Sequence, residues 1–232
     1  MGVLCQPAWS KALIPVQRKR QPKGFKRLVS EPGAAFLSTN PMPSSKEYDK
    51  HDYWKRISRE LYLAYDRICA YSCHLIPSDT GFHCVEHFRP KKTYPHLAYK
   101  WSNYRLVCGK MNGRKSDFED VLDPFTIENG LFILDFPSTV IKPAPALVGA
   151  TKRKVEATIK RLKLNDDESC IDARQMWLGS YCEVAASQES IAYKILMDVA
   201  PFLASELNRQ GLRGNQIIQR MASRIVSTAR KS

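Results

Sequence analysis

Long apolar runs are missing from this chain. No stretch approaches the ~20 residues needed to cross a bilayer, and no apolar h-region precedes the basic stretch near the N-terminus. A membrane protein or an exported one is therefore not expected, and a cytoplasmic location is. An even set of cysteines is missing too. Seven cysteines without an export signal argue for reduced thiols or metal ligands instead of a disulfide framework. Acidic residues are scarce, 23 against 36 Lys and Arg, and the resulting net charge of +13 points to a polyanionic partner. The deficit is uneven: residues 1–45 carry seven basic side chains and one acid, 46–136 carry fourteen and thirteen, and 137–232 carry fifteen and nine. The chain does have apolar residues in quantity. At 44% hydrophobic, 232 residues can build a core for one large or two small domains.

The first 45 residues read as an irregular basic arm. "QRKRQPKGFKR" (Gln17 to Arg27) mixes Pro, Gly and positive charge, and "STNPMPSS" (Ser38 to Ser45) resembles a linker. Such an arm can hold phosphate backbones without reading sequence, or can be a solvated or partner-bound tail. Ser44 with Glu47 makes a capping box, and Trp54, Ile57, Leu61, Ala64, Tyr65 and Ile68 recur at helical spacing, which predicts a helix from Lys46 to Arg67. Beyond Pro124, "LFILDF" (Leu131 to Phe136) is a strand candidate and Pro137 to Gly149 a Pro-rich connector. Helical patterns follow at Thr151–Leu164, Ser169–Ala186, Ser190–Gln210, kinked by Pro201, and Gly214–Ala229. The basic residues around Val155, Ile159 and Leu162 form either a solvated face or a surface for nucleic acid or a partner.

The pair Glu86-His87 carries the chemistry. It lies in "HCVEHFRPKKTYPHLAYKWSNYRLVCGKMNGRKSD", with Asn103 sixteen positions after His87, Asn112 nine after that and Lys115 three later. "HCVEHF" alternates like a strand and ends where Arg89-Pro90 breaks pairing. A loop to Tyr99, a second strand from Tyr104 to Val107 and a short helix near Asn112 would return Asn112 beside Glu86. A carboxylate next to an imidazole, joined by a carboxamide oxygen, supplies a hard-cation ligand pair and a general base around one phosphate. That is the HNH, or ββα-metal, pattern. Oxygen ligands favour magnesium or manganese, and Lys115 and Arg114 would meet non-bridging phosphate oxygens, with Arg89, Lys91 and Lys92 at neighbouring phosphates.

The string resembles the HNH nuclease subunit of Septu-type anti-phage systems, including those carried by some retrons. "CAYSC", "VEHFRPK", "TYPHLAYKWSNYRLVCGKMN" and "GRKSD" carry the likeness from Trp54 to Pro124, with a weaker echo from Thr158 to Asp167. The resemblance implies that Glu86 and Asn112 ligate the metal, that His87 deprotonates the attacking water, and that Asn103 braces the hairpin loop and orients His87. It also implies an ATPase partner and, in retron-linked versions, a reverse transcriptase with its DNA-linked RNA product.

Family members carry two Cys-x-x-Cys knuckles, and both are altered here. Cys69 and Cys73 have three residues between them, and Met111 stands where Cys108 would have its mate, so a zinc site would need Cys84 or His83 as fourth donor. Free thiols without stoichiometric zinc are expected. His51, His74 and His96 are expected to be structural or exposed. The fold expected is α+β: an HNH domain over 46–136, after the arm of 1–45 and before the connector and helical region of 137–232. Two other readings stay open. The same site could act on RNA such as tRNA, or the chain could be a nucleic-acid-binding subunit without catalysis.

Overall fold

The protein is mixed α+β in a computed structural model that describes residues 16–214 except Pro137 and the side chains of Asp167 and Glu168. The expected irregular arm gives way to helix at Phe25: a π-helical turn over Lys26–Ser30 leads into α1 (Glu31–Thr39). Burial decides this, because Phe25, Val29 and Phe36 all enter the core, Phe25 edge-on to Trp101 at 5.6 Å and to Tyr104 at 6.0 Å. Gly33 is needed here, since a Cβ at that position would overlap the Tyr99 ring. Trp101 Nε1 donates to the Lys19 carbonyl at 2.8 Å and fastens the segment before it. Residues 1–15 of the arm lie outside the described residues.

The capping box forms as predicted: Ser44 N donates to Glu47 Oε2 at 2.7 Å, and α2 runs Ser45–Lys50. The expected helix from Lys46 to Arg67 is not continuous. A 3-10 turn (Tyr53–Ile57) and α3 (Ser58–Ala64) follow, and Asp66 and Arg67 then turn with φ of 53° and 63°. The reason is Tyr99. Its ring is packed by Tyr48, Tyr53 and Trp54 at 6.5, 5.6 and 5.8 Å, and its hydroxyl donates to the His51 carbonyl at 2.8 Å. In an unbroken helix of 3.6 residues per turn, positions 48 and 54 would diverge by about 120° and could not meet one ring.

β1 (His83–His87) and β2 (Tyr104–Cys108) pair antiparallel, His83 opposite Cys108 and His87 opposite Tyr104, and α4 (Gly109–Lys115) follows at once. Strand, loop, strand and short helix stand where the sequence put them. A second hairpin joins β3 (Phe132–Asp135) to β4 (Val140–Pro143), so part of the expected Pro-rich connector is strand. Thr139 at φ 55° makes the turn, and Pro143 is tolerated at the strand end.

α5 (Gly149–Arg161) precedes a π-helical turn (Asp167–Ile171) and α6 (Asp172–Val199). The two helices expected at Ser169–Ala186 and Ser190–Gln210 abut within α6 at Gln188, whose φ of −142° is not helical. Pro201 does not kink a helix but starts α7 (Pro201–Arg209) after a non-helical Ala200. Proline disfavours helix in the residue before it and loses nothing at a first helical position, where its missing N–H has no partner to find. The helix expected over Gly214–Ala229 lies beyond the described residues.

The two halves of the chain share hydrogen bonds. Leu75 N donates to the Val199 carbonyl at 2.8 Å and Leu134 N to Glu206 Oε2 at 2.9 Å, while buried Arg174 holds α6 to the carbonyls of Thr139 and Leu164, within the C-terminal part, at 2.7 and 2.8 Å. Among the described residues no helix is long and apolar enough to cross a membrane.

Candidate active site

A cleft of about 880 Å³ runs along β1 and α4, with Trp54, Glu86, His87, Lys91, Asn112 and Asp117 in its walls. β1 supplies Glu86 and His87, and α4, turned back directly from β2, supplies Asn112. The structure therefore brings three of the four motif residues to one cavity. Asn103 stands behind it. Its Oδ1 accepts from Arg89 N at 2.8 Å, and its Nδ2 donates to the carbonyls of Arg89 at 3.0 Å and Leu97 at 3.3 Å. One buried carboxamide thus staples both ends of the loop between the strands.

His87 is buried, with Trp54 and Tyr104 edge-on to its ring at 4.8 and 5.1 Å. Its Nε2 lies 2.9 Å from the Ala98 carbonyl, which only accepts, so Nε2 carries the proton and Nδ1 keeps a lone pair. Burial pushes the imidazole pKa down to about 3, so the ring is neutral at physiological pH. Leu97, which Asn103 holds, immediately precedes the Ala98 that fixes this tautomer.

Glu86 is 5% exposed, and its Oε1 lies 2.9 Å from Lys115 Nζ. The fully buried lysine also donates to the carbonyls of His87 at 3.2 Å and Phe88 at 2.7 Å. Burial still outweighs this ammonium and raises the carboxyl pKa to about 7. A buried carboxylate whose desolvation its one ammonium does not offset, in a cleft that Asn112 also lines, fits a divalent cation. One carboxylate and one amide suit magnesium, which keeps several of its waters. No group of three or more His, Cys, Asp and Glu side chains suited to a metal ion occurs among the described residues. Asp117 is a further carboxylate at the cleft that sequence reasoning did not assign; it is exposed and paired with Lys92 at 3.1 Å.

The cations differ from expectation. Only Lys91 of the five lines the cleft, its ammonium over the rings of Tyr48 at 5.7 Å and Trp54 at 5.4 Å. Arg89 pairs with Glu119 at 2.5 Å. Arg114, expected at a phosphate, is bound instead to Asp166 and to the carbonyls of Leu162 and Lys163 at 3.1 and 3.0 Å. Lys115, expected there too, is the buried counter-ion of Glu86. Consecutive helical residues point roughly 100° apart, so Arg114 and Lys115 could not both have faced one phosphate. Sequence reasoning also passed over Arg105, 2% exposed, whose guanidinium meets Asp123 twice at 2.8 and 2.7 Å and lies over Phe125 at 3.6 Å. A lone arginine inside the apolar strand "YRLVC" was the signal, since a buried charge demands a partner.

Cys69 and Cys73 are buried and Cys108 half-buried, with Cys108 N donating to Cys69 Sγ at 3.4 Å. Burial works to raise the Cys69 thiol, but hydrogen bonds from Cys108 and Ser72 bring it down to about 6, and the same pairing raises Cys108. Burial raises the half-buried Cys84 thiol to about 11, and His83 stacks on Tyr62 at 4.4 Å. His51 stacks on Phe36 at 3.9 Å, His96 meets Tyr94 edge-on at 6.3 Å, and burial lowers His74 to about 4.

No family model matches the chain. Over 108 residues it is 28% identical to Septu protein PtuB of Bacillus thuringiensis, a stretch that is 47% of this chain and 40% of that protein. The chain is similar to a Septu protein. The likeness agrees in kind with the Septu resemblance of the motif segments, while the chain spans only about two fifths of that Septu protein's length.

Proposed function

We propose that this protein is a metal-dependent HNH endonuclease acting in Septu-type anti-phage defence. The observation that carries the nuclease reading is His87: a neutral imidazole with Nδ1 unprotonated, one residue from a buried carboxylate, at the wall of a cleft. Defence rests on the Septu likeness alone. Glu86 and Asn112 hold magnesium or manganese, which supplies positive charge to the scissile phosphate and the leaving oxygen. His87 Nδ1 takes the proton of the attacking water, and the Nε2 bond to Ala98 keeps the ring in that tautomer. Asn103 positions His87 through the loop, Lys115 holds Glu86 in place and partly offsets the cost of its burial, and Lys91 meets a phosphate near the cut. The family resemblance adds an ATPase partner and, in retron-linked systems, a reverse transcriptase with its product.

Plasmid DNA and total tRNA, incubated side by side with the complex reconstituted on that ATPase, separate DNA from RNA as the substrate. His87→Ala should lower cleavage by roughly 10²–10⁴-fold. Cleavage at the normal rate by a folded His87→Ala protein would sink the assignment.

A further inference from the structure

Phe82 lines the same cleft and is 74% exposed. Only one other aromatic, Phe118, appears among the exposed large apolar side chains of the described residues, and the Arg161 guanidinium covers it at 3.4 Å. Among the described residues no cation or ring lies over Phe82 in this way. Its backbone is nevertheless fixed, because its carbonyl accepts from Gly109 N at 2.8 Å where β1 and α4 both begin. The ring rests against Gly109, where an added Cβ would come within 2.8 Å of Phe82 Cδ1. An aromatic face is thus anchored and left bare beside a site built for phosphate.

We propose that Phe82 is a stacking platform for an unpaired nucleobase, and that the cleft therefore takes single-stranded or locally unpaired nucleic acid in preference to continuous duplex. This rests on the nuclease reading above. Inside a duplex both faces of each base are covered by neighbours, so a protein ring can stack only on a base that is unpaired, flipped or terminal. Glu86 lies four positions along the strand from Phe82, roughly 13 Å at strand rise, so the stacked base flanks the scissile nucleotide. The cleft lies within the range of about 300–1,000 Å³ that encloses small organic groups. Lys55 and Lys91 in its walls, on a chain of net charge +13, suit a polyanionic strand.

The test uses the full chain with His87→Ala, so that binding is read without cleavage. Anisotropy of a labelled single-stranded oligonucleotide and of its duplex is measured in magnesium for this protein and for the same protein with Phe82→Ala or Phe82→Trp. Phe82→Ala should weaken single-strand binding by roughly 5- to 150-fold and duplex binding little, and Phe82→Trp should retain the single-strand affinity. Unchanged single-strand binding, equal losses for strand and duplex, or no binding of either would overturn the proposal. Circular dichroism keeps folding separate, and the exposed ring leaves little core to lose. Normal cleavage by His87→Ala alone would defeat the nuclease reading and leave this comparison to be judged on its own.

Discussion

Glu86 and His87 are neighbours on β1, yet burial moves their proton affinities in opposite directions, because it penalises the charged form of each. His87 falls to about 3 and Glu86 rises to about 7, so near neutrality the imidazole is ready as a base while the carboxylate still exchanges a proton. Below pH 7 protons compete with a cation for Glu86. Cleavage at limiting magnesium should rise as pH passes through about 7, and more magnesium should move that midpoint downward. Rates across pH at several magnesium concentrations check this, and a midpoint indifferent to the metal would assign the titration to another group. The two lysines at the site should separate cleanly. Lys115→Met leaves Glu86 buried without its counter-ion and should cost about 3–5 kcal/mol in urea unfolding. Lys91→Ala should leave stability almost unchanged and weaken binding of nucleic acid.

At the scale of elements, the strand-loop-strand-helix run was legible because alternation, a proline stop and motif spacing all act within thirty-odd residues. The helix over 46–67 was not, because what breaks it is the Tyr99 ring, far along the chain. The strand in the Pro-rich stretch was hidden because its prolines mask a local hairpin with β3, which the more distant Asn165 secures by bonding Ile141 on both its N–H and its carbonyl at 2.8 Å. Motif types in "NGRKSD" were legible, but what each of Arg114 and Lys115 meets depends on where α4 packs. Arg114 ties α4 to the segment after α5, so Arg114→Ala should loosen Asn112 and slow cleavage without removing a phosphate contact. The slope of log binding constant against log salt should then stay as in the parent, whereas Lys91→Ala should reduce it by about 1. A reduced slope for Arg114→Ala would return that residue to the phosphates.

For the whole molecule, the apolar content pointed to a folded protein, but neither it nor the +13 charge said how its halves join. Removing everything after Gly149 would strip Val199 from Leu75 and Glu206 from Leu134, so such a truncation tests folding before it tests docking. The outer face of α6 offers a gentler probe. Met176, Ile191 and Ile195 are half exposed there, beside a shallow apolar groove of about 70 Å³ between its two segments. If the resemblance-implied ATPase docks on this face, Ile191→Lys with Ile195→Lys should abolish its co-purification and leave the melting temperature within a few degrees. Undiminished co-purification would move the contact elsewhere. The join between the halves also bears on synthesis, since chains leave the ribosome N-terminus first. Glu86 and His87 are translated long before Asp166, which holds α4 through Arg114, or Val199, whose carbonyl accepts from Leu75 N. A half-translated chain carries the whole motif without the supports that set its geometry, so on the proposed nuclease reading a growing polypeptide threatens the host's own nucleic acid least while it is being made.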